Sequence, residues 1–182
     1  MTKPTAFILE KLENFYQSLR FVTIAELRVG TGFDGLSKRR IDLLAISAEK
    51  GNNVIGVEIK ASKADFLKDL KDPAKQKPLR CFSNEFYYAT PKGLIEPNDL
   101  PQWAGLIEVR TDAIDKPVET RFNGSTYIRD GETFKAYFRE SANDKLLTPF
   151  VQVKISAPYL ENSAPTWGLV AEIIRNKKRT KR

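Results

Sequence analysis

The sequence predicts an α/β fold, and three observations support this prediction. Apolar residues recur at helical spacing near the N-terminus and again after residue 62. Short runs rich in β-branched and aromatic residues lie between and after these helical stretches. With 182 residues, of which 41% are hydrophobic, the chain can bury one core, as a single domain or as a domain with a modest extension. Helices that alternate with strands in this way are typical of layered α/β proteins.

The predicted elements follow the order helix, three strands, helix and two further strands. They cover residues 5–20 (helix), 23–29, 40–47 and 54–60 (strands), 62–71 (helix), 74–82 (a second helical piece), and 86–90 and 105–109 (strands). The Gly-Asn-Asn sequence at 51–53 supplies a turn, so the second and third strands are predicted to form a hairpin. Ser62 is predicted to cap the next helix, with Asp65 in the third helical position. Pro78 is expected to break or kink the second helical piece.

Beyond residue 112 the pattern becomes rich in strands. Apolar and polar residues alternate over 134–138 and 151–155, which predicts two half-exposed strands, and a helical face follows at 167–174. We therefore divide the chain into a core over 1–112, a β-rich extension over 113–174 that ends in a helix, and a basic tail over 175–182. The sequence leaves open whether the extension is a second small domain or continues the first sheet.

The composition excludes several kinds of catalytic site. The chain has no histidine and one cysteine, Cys81, which excludes Ser-His-Asp and Cys-His catalysis, histidine-ligated zinc, a cysteine zinc cage and an internal disulfide. A bound metal must then have oxygen ligands, which favours Mg²⁺ or Mn²⁺. No apolar run approaches the ~20 residues that a membrane helix needs, and no secretion signal is recognisable. These features predict a cytoplasmic protein without a membrane partner.

Positive charge is concentrated at the C-terminus. The net charge is +7, and the last eight residues carry six positive and no negative charges, which leaves +1 for the rest of the chain. Such an arm suits phosphate contacts, and a solvated tail that maintains solubility is the alternative.

Two predicted strands carry acids in apolar surroundings. Along the strand over 54–60, alternation places Glu58 and Lys60 on one face, and Asp42 interrupts the apolar strand before it. If the two strands pair through the turn, Asp42 comes beside Glu58, and two carboxylates with the Ile59 carbonyl could hold Mg²⁺. Lys60 could then position a water molecule or stabilise charge on phosphorus. Alternatively, these residues are solvent-facing charges that form ion pairs on an ordinary hairpin.

Ile41-Asp42, fifteen intervening residues and Glu58-Ile59-Lys60 resemble the signature of the PD-(D/E)XK nucleases, with Ile41 where the signature has proline. Further matching positions are Glu26, Arg39-Arg40, Ala61-Ser62, Asp65-Phe66, Asp69, Cys81 and Phe86-Tyr87-Tyr88-Ala89-Thr90-Pro91. Over residues 23–109 the chain is most similar to the MmcB-like branch, which is associated with DNA repair. The resemblance implies a restriction-endonuclease-like core, in which a central mixed sheet is flanked by helices.

The resemblance also implies roles for individual residues. Asp42 and Glu58 would hold Mg²⁺ or Mn²⁺, and Lys60 would serve catalysis. Glu26 would be a further acidic ligand or a water-mediated contact, or else a surface residue of its strand. Gln76 would correspond to a polar residue near the scissile phosphate, but the tyrosine that some branches place four residues later is Arg80 here, so a solvent-facing position is the alternative.

Basic residues around this site are candidate DNA contacts. The candidates, with Gln76, are Arg39, Arg40, Lys63, Arg175, Lys177, Lys178 and Arg179. Asp65 and Asp69 lie four residues apart on the same predicted helix, and we interpret them as capping residues that pair with Lys68 or Lys71.

These observations predict an Mg²⁺-dependent nuclease that hydrolyses DNA phosphodiester bonds in repair, recombination or defence. The first alternative is a catalytically inactive DNA-binding or structure-sensing module with the same fold. The second is a protein-interaction module that uses the C-terminal strands. RNA remains an alternative substrate, because phosphodiester chemistry at such a site does not itself distinguish ribose from deoxyribose. The protein could act as a homodimer.

Overall fold

The computed structural model describes residues 2–28, 40–47, 53–72, 77–111, 124–129, 132–137, 150–161, 170–171 and 173–174. The helices are α1 (Lys3–Ser18), α2 (Lys63–Leu70) and α3 (Lys77–Phe82), and a short 3₁₀ helix spans Pro97–Asp99. The strands are β1 (Phe21–Arg28), β2 (Arg40–Ser47), β3 (Val54–Ile59), β4 (Glu85–Pro91), β5 (Gly105–Val109), β6 (Gly124–Arg129), β7 (Glu132–Tyr137) and β8 (Val151–Ile155). The α/β class is therefore confirmed.

All of these strands join one mixed sheet in the order β1-β2-β3-β4-β5-β8-β6-β7. The pairs β1–β2 and β2–β3 are antiparallel, which confirms the predicted pairing of the second and third strands, although the turn predicted at 51–53 lies mostly outside the described residues. By contrast, β3, β4 and β5 run parallel. β8 pairs antiparallel with β5 and parallel with β6. The strands after residue 112 thus continue the first sheet, which answers the question that the sequence left open.

Each face of the sheet buries its own apolar cluster. On one face α1 packs through Ile8, Leu12 and Phe15. On the other face α2 packs through Phe66, which is fully buried. The side chains of β3 alternate as predicted, with Ile55, Val57 and Ile59 in the α1 cluster and Val54 against the α2 cluster. Alternation therefore places Glu58 on the α2 face of the sheet.

Several element ends differ by one to three residues from the sequence-based predictions. β1 begins at Phe21, two residues earlier than predicted. In the described region α3 begins at Lys77, so Pro78 lies in its first turn, where a helix does not need the missing backbone N–H. Within the described residues, no helix has both the length and the apolar character needed to cross a membrane.

Gly105 provides a test of the packing between β4, β5 and the segment after β8. A Cβ atom at this position would overlap the Tyr87 ring and the backbone nitrogen of Ala157. The Tyr87 hydroxyl donates to Glu85 Oε2 at 2.7 Å, which restrains the ring. We expect Gly105→Ala to lower the free energy of unfolding by about 2–3 kcal/mol in urea denaturation, because neither neighbour can move cheaply.

Gly56→Ala is the matched control, since its nearest contact would be the mobile end of Ile41 at 3.3 Å. Equal losses of stability in the two variants would contradict the predicted close packing at Gly105.

Candidate active site

Asp42 lies where the regular alternation of β2 breaks down. Strict alternation would place Ile41 on the same face as Leu43, but Ile41 packs in the α2 cluster and Leu43 in the α1 cluster. Opposite this point on β1, Glu26 has a left-handed φ of 50°, which a residue other than glycine rarely adopts. Irregularities of this kind re-aim side chains and cost on the order of 1–3 kcal/mol.

The Asp42 carboxylate occupies the point at which β2 and β3 separate. The described ladder between these strands ends at the pair Leu43–Val57. Beyond it, the Ile59 backbone N–H donates to Asp42 Oδ2 at 2.8 Å. The N–H and C=O groups of one strand residue point to the same edge, so the Ile59 carbonyl faces the same gap. The Lys60 N–H, by contrast, bonds to Ala89 of β4.

Glu58 is largely buried beside this gap. Its side chain is 15% exposed, and its Oε1 atom accepts from Lys60 Nζ at 3.0 Å. Its Oε2 atom is buried without a hydrogen-bond partner among the described residues. Burial and then the negative charge of Asp42 raise the pKa of Glu58 to about 7. The Asp42 charge is thus near enough to Glu58 to raise its pKa.

Lys60 lies between two carboxylates on the α2 face. Its Nζ atom is 3.0 Å from Glu58 Oε1 and 3.4 Å from Asp69 Oδ1, and its side chain is 11% exposed. Burial alone would lower the pKa of Lys60, but Glu58 and Asp69 together raise it above the ordinary value. The side chain therefore remains an ammonium ion at neutral pH.

Asp69 is a member of this cluster that sequence reasoning missed. Asp69 is predicted to cap the helix and to pair with Lys68 or Lys71, whereas in the structure it is 5% exposed and forms an ion pair with Lys60. The Tyr88 hydroxyl, which is buried on β4, donates to Asp69 Oδ2 at 3.3 Å. Asp69 follows Phe66 by three residues, so both lie on the buried side of α2. A charged residue at this inward position was the signal that could have identified it.

The structure also places three of the other predicted site residues. Arg40 lies 3.3 Å from Glu26, and both side chains are exposed. Lys63 pairs with Asp99 at 3.0 Å on the surface. Burial is the main cause of the raised pKa of Asp42, and the negative charge of nearby Glu26 adds to it. The positive charges of Arg40 and Lys60 oppose this rise. The other candidates, which are Arg39, Gln76, Arg175, Lys177, Lys178 and Arg179, lie outside the described residues.

We next consider whether the site suits a divalent cation. Within the part of the chain that the structure describes, no group of three or more acidic, cysteine or histidine side chains is arranged to hold a metal. Mg²⁺, however, is often bound through one or two carboxylates while it keeps several water molecules. Glu58 and Asp69 share the Lys60 ammonium, Asp42 is influenced by the charges of Lys60 and Arg40, and Glu58 Oε2 lacks a donor among the described residues. A cation beside Asp42 and Glu58 would offset this excess negative charge.

Comparison with known proteins identifies a shared fold. No family model matches the chain, and no curated protein matches it. Among solved structures, the chain is similar to the SPO1766 protein of unknown function from Silicibacter pomeroyi, with a TM-score of 0.58 and 16% sequence identity. The match covers 98% of this chain and 88% of the other. Nearly the whole chain therefore has the fold of that protein, and this likeness concerns the fold alone.

Proposed function

We propose that this chain is an Mg²⁺- or Mn²⁺-dependent nuclease with a restriction-endonuclease-like core that hydrolyses phosphodiester bonds in DNA. The proposal is carried by the Oε2 atom of Glu58, which is buried and has no hydrogen-bond partner in the described part of the chain, while the Asp42 charge acts on the same carboxyl group and Lys60 binds its other oxygen. Asp42, Glu58 and the Ile59 carbonyl would hold the cation. When bound, the cation would polarise a phosphoryl oxygen and lower the pKa of a water molecule.

The chain's own residues would supply positioning and charge. Lys60 would donate hydrogen bonds to a non-bridging phosphate oxygen and so stabilise the charge that develops on phosphorus. Its position among buried groups strengthens this interaction, because the local dielectric constant is lower than that of water. Glu26, which is paired with Arg40, would act only at the margin of the site.

Several basic groups support DNA as the substrate. Arg40 and Lys63 are exposed and near the site. They pair with the carboxylates of Glu26 and Asp99, and each could bind a DNA phosphate instead. The basic tail over 175–182 would add contacts that are independent of sequence and that weaken as salt rises. A role in repair, recombination or defence in the cytoplasm is consistent with this chemistry, and RNA is the alternative substrate.

The experiment is a cleavage panel of single-stranded, double-stranded, nicked and branched DNA with Mg²⁺ and with Mn²⁺, applied to the wild type and to Asp42→Asn. The asparagine can still accept the Ile59 N–H, so the fold should survive while a ligand charge is lost. We expect cleavage to fall at least about 100-fold and Mn²⁺ affinity, measured by calorimetry, to fall at least about 10-fold.

Glu26→Gln is the matched control, because Glu26 is a nearby acid whose side chain is 41% exposed. Its cleavage rate should stay within about threefold of the wild-type rate, because surface substitutions usually change the free energy of a protein by less than about 0.5 kcal/mol. Undiminished cleavage by folded Asp42→Asn would refute the assignment of Asp42.

The inactive DNA-binding module on the same fold is the second candidate. It is favoured by the lack of a group of three or more potential metal-ligating side chains among the described residues. It predicts DNA binding that weakens with salt, no cleavage of any substrate in the panel, and no Mn²⁺ uptake that depends on Asp42.

A further inference from the structure

Lys60 binds two carboxylates, of which only one belongs to the proposed metal site. Glu58 Oε1 lies 3.0 Å from the Lys60 ammonium, and Asp69 Oδ1, on helix α2, lies 3.4 Å from it. A divalent cation beside Glu58 would repel the ammonium and weaken its bond to that carboxylate. Without a second acceptor, Lys60 would then be free to leave the site.

We propose that Asp69 is a positioning residue, which holds the Lys60 ammonium through Oδ1 so that Lys60 stays in place when Glu58 turns to a divalent cation. The first part of this inference, the anchoring of Lys60, is independent of the proposed nuclease function. The second part, retention in the presence of a cation, depends on that function.

Asp69 is itself held by rigid neighbours. The Tyr88 hydroxyl occupies its second oxygen at 3.3 Å. The Tyr88 ring is fully buried and makes edge contacts with Phe66 at 5.1 Å and Phe86 at 5.5 Å between ring centroids. At the start of α2, the Ser62 side chain accepts the Asp65 N–H at 3.2 Å. Asp69 is thus supported by both the sheet and the helix, as an effective positioning group must be.

Asp69→Asn tests the inference, with Asp65→Asn as the matched control on the same helix. The asparagine can still accept from Tyr88, so the substitution removes mainly the charge that Lys60 contacts. The first measurement is the hydrogen-exchange rate of the Lys60 ammonium in metal-free protein, followed by NMR. We expect this rate to rise about tenfold in Asp69→Asn, the effect of losing a hydrogen bond to a charged group. It should not change in the exposed Asp65→Asn variant.

The second measurement adds Mg²⁺ and compares cleavage. The Lys60 signal should persist in the wild type and disappear in Asp69→Asn, where kcat should fall about tenfold or more with little change in KM for DNA. Tyr88→Phe, which removes only a hydroxyl, should shift the metal-free exchange rate in the same direction by less.

The outcomes separate this inference from the proposed function. A wild type that neither binds Mg²⁺ nor cleaves DNA would refute the nuclease proposal, while faster exchange in metal-free Asp69→Asn would still support anchoring by Asp69. Unchanged exchange in metal-free Asp69→Asn and Tyr88→Phe would overturn the inference. If the wild type binds Mg²⁺, a Lys60 signal that survives Mg²⁺ in Asp69→Asn would overturn it as well. If Asp69→Asn does not fold, the exchange rate in Tyr88→Phe decides between these outcomes.

Discussion

Replacement of Glu58 by glutamine is expected to abolish cleavage and yet to stabilise the metal-free protein at pH 8. The pKa of Glu58 is raised to about 7 by burial and by the charge of Asp42, so its ionised form is unfavourable in the folded state. Glutamine has nearly the same shape and can still accept from Lys60, but it carries no charge. The loss of a ligand charge should reduce cleavage at least about 100-fold, as expected when an electrostatic contribution to the transition state is removed.

The sign of the effect on stability follows from the two pKa values. Below the ordinary value of 4.5, Glu58 is protonated in both the folded and the unfolded state, so it carries no penalty. Between 4.5 and about 7 the folded state binds more protons, and the stability of the wild type falls as pH rises through this window. Above it the full penalty is present, on the order of 3 kcal/mol. The advantage of Glu58→Gln should therefore be absent at pH 4 and largest at pH 8.

Urea denaturation at pH 4 and pH 8 in the presence of a chelator measures this difference. Glu10→Gln is the matched control, because the Glu10 side chain is 60% exposed and its removal should change stability by less than about 0.5 kcal/mol. Addition of Mg²⁺ should stabilise the wild type but not Glu58→Gln. A Glu58→Gln protein that is less stable than wild type at pH 8 without metal would show that burial does not penalise the Glu58 charge.

The hairpin and the pair Glu58–Lys60 could be predicted because the information for them is local. Strand alternation has a period of two residues, and the Gly-Asn-Asn sequence at 51–53 predicts a turn, so neighbouring residues alone decide which side chains share a face. The same reasoning brought Asp42 near Glu58. It did not predict the break in the alternation of β2 at Asp42. The left-handed φ of Glu26 accompanies this break, and such a φ has no sequence signature in a residue other than glycine.

The rest of the site depends on contacts between distant segments. Asp69 meets Lys60 and Tyr88 only because α2 packs across the sheet, whereas the i,i+4 spacing from Asp65 suggests capping and pairing within the helix. The place of β8 between β5 and β6 was equally unpredictable, because its short alternating pattern fits a second domain as well as a longer sheet. Local patterns identify the elements, whereas nonlocal packing decides which of their polar residues become buried neighbours.

Replacement of Lys60 by methionine is expected to have the opposite effect on stability from Glu58→Gln, although both changes remove one member of the same ion pair. Methionine leaves Glu58 and Asp69 buried without the ammonium that lies between them. Loss of one partner of a buried ion pair costs about 3–5 kcal/mol, so the variant should be much less stable than wild type at pH 8. Cleavage should also fall by about 100-fold or more, because Lys60 would no longer stabilise charge on phosphorus.

Lowering the pH should restore much of the stability of Lys60→Met. Without the ammonium, the raised folded-state pKa of Glu58 should rise further, so the penalty should decline as pH falls through that value. Lys63→Met is the matched control, since Lys63 is 49% exposed in its pair with Asp99 and should contribute less than about 1 kcal/mol. The double variant Glu58→Gln/Lys60→Met should be more stable at pH 8 than Lys60→Met, because one uncompensated charge is gone. If Lys60→Met is as stable as Lys63→Met at pH 8, then the Lys60 charge does not stabilise the buried carboxylates around it. That result would refute the electrostatic basis of the proposed metal site.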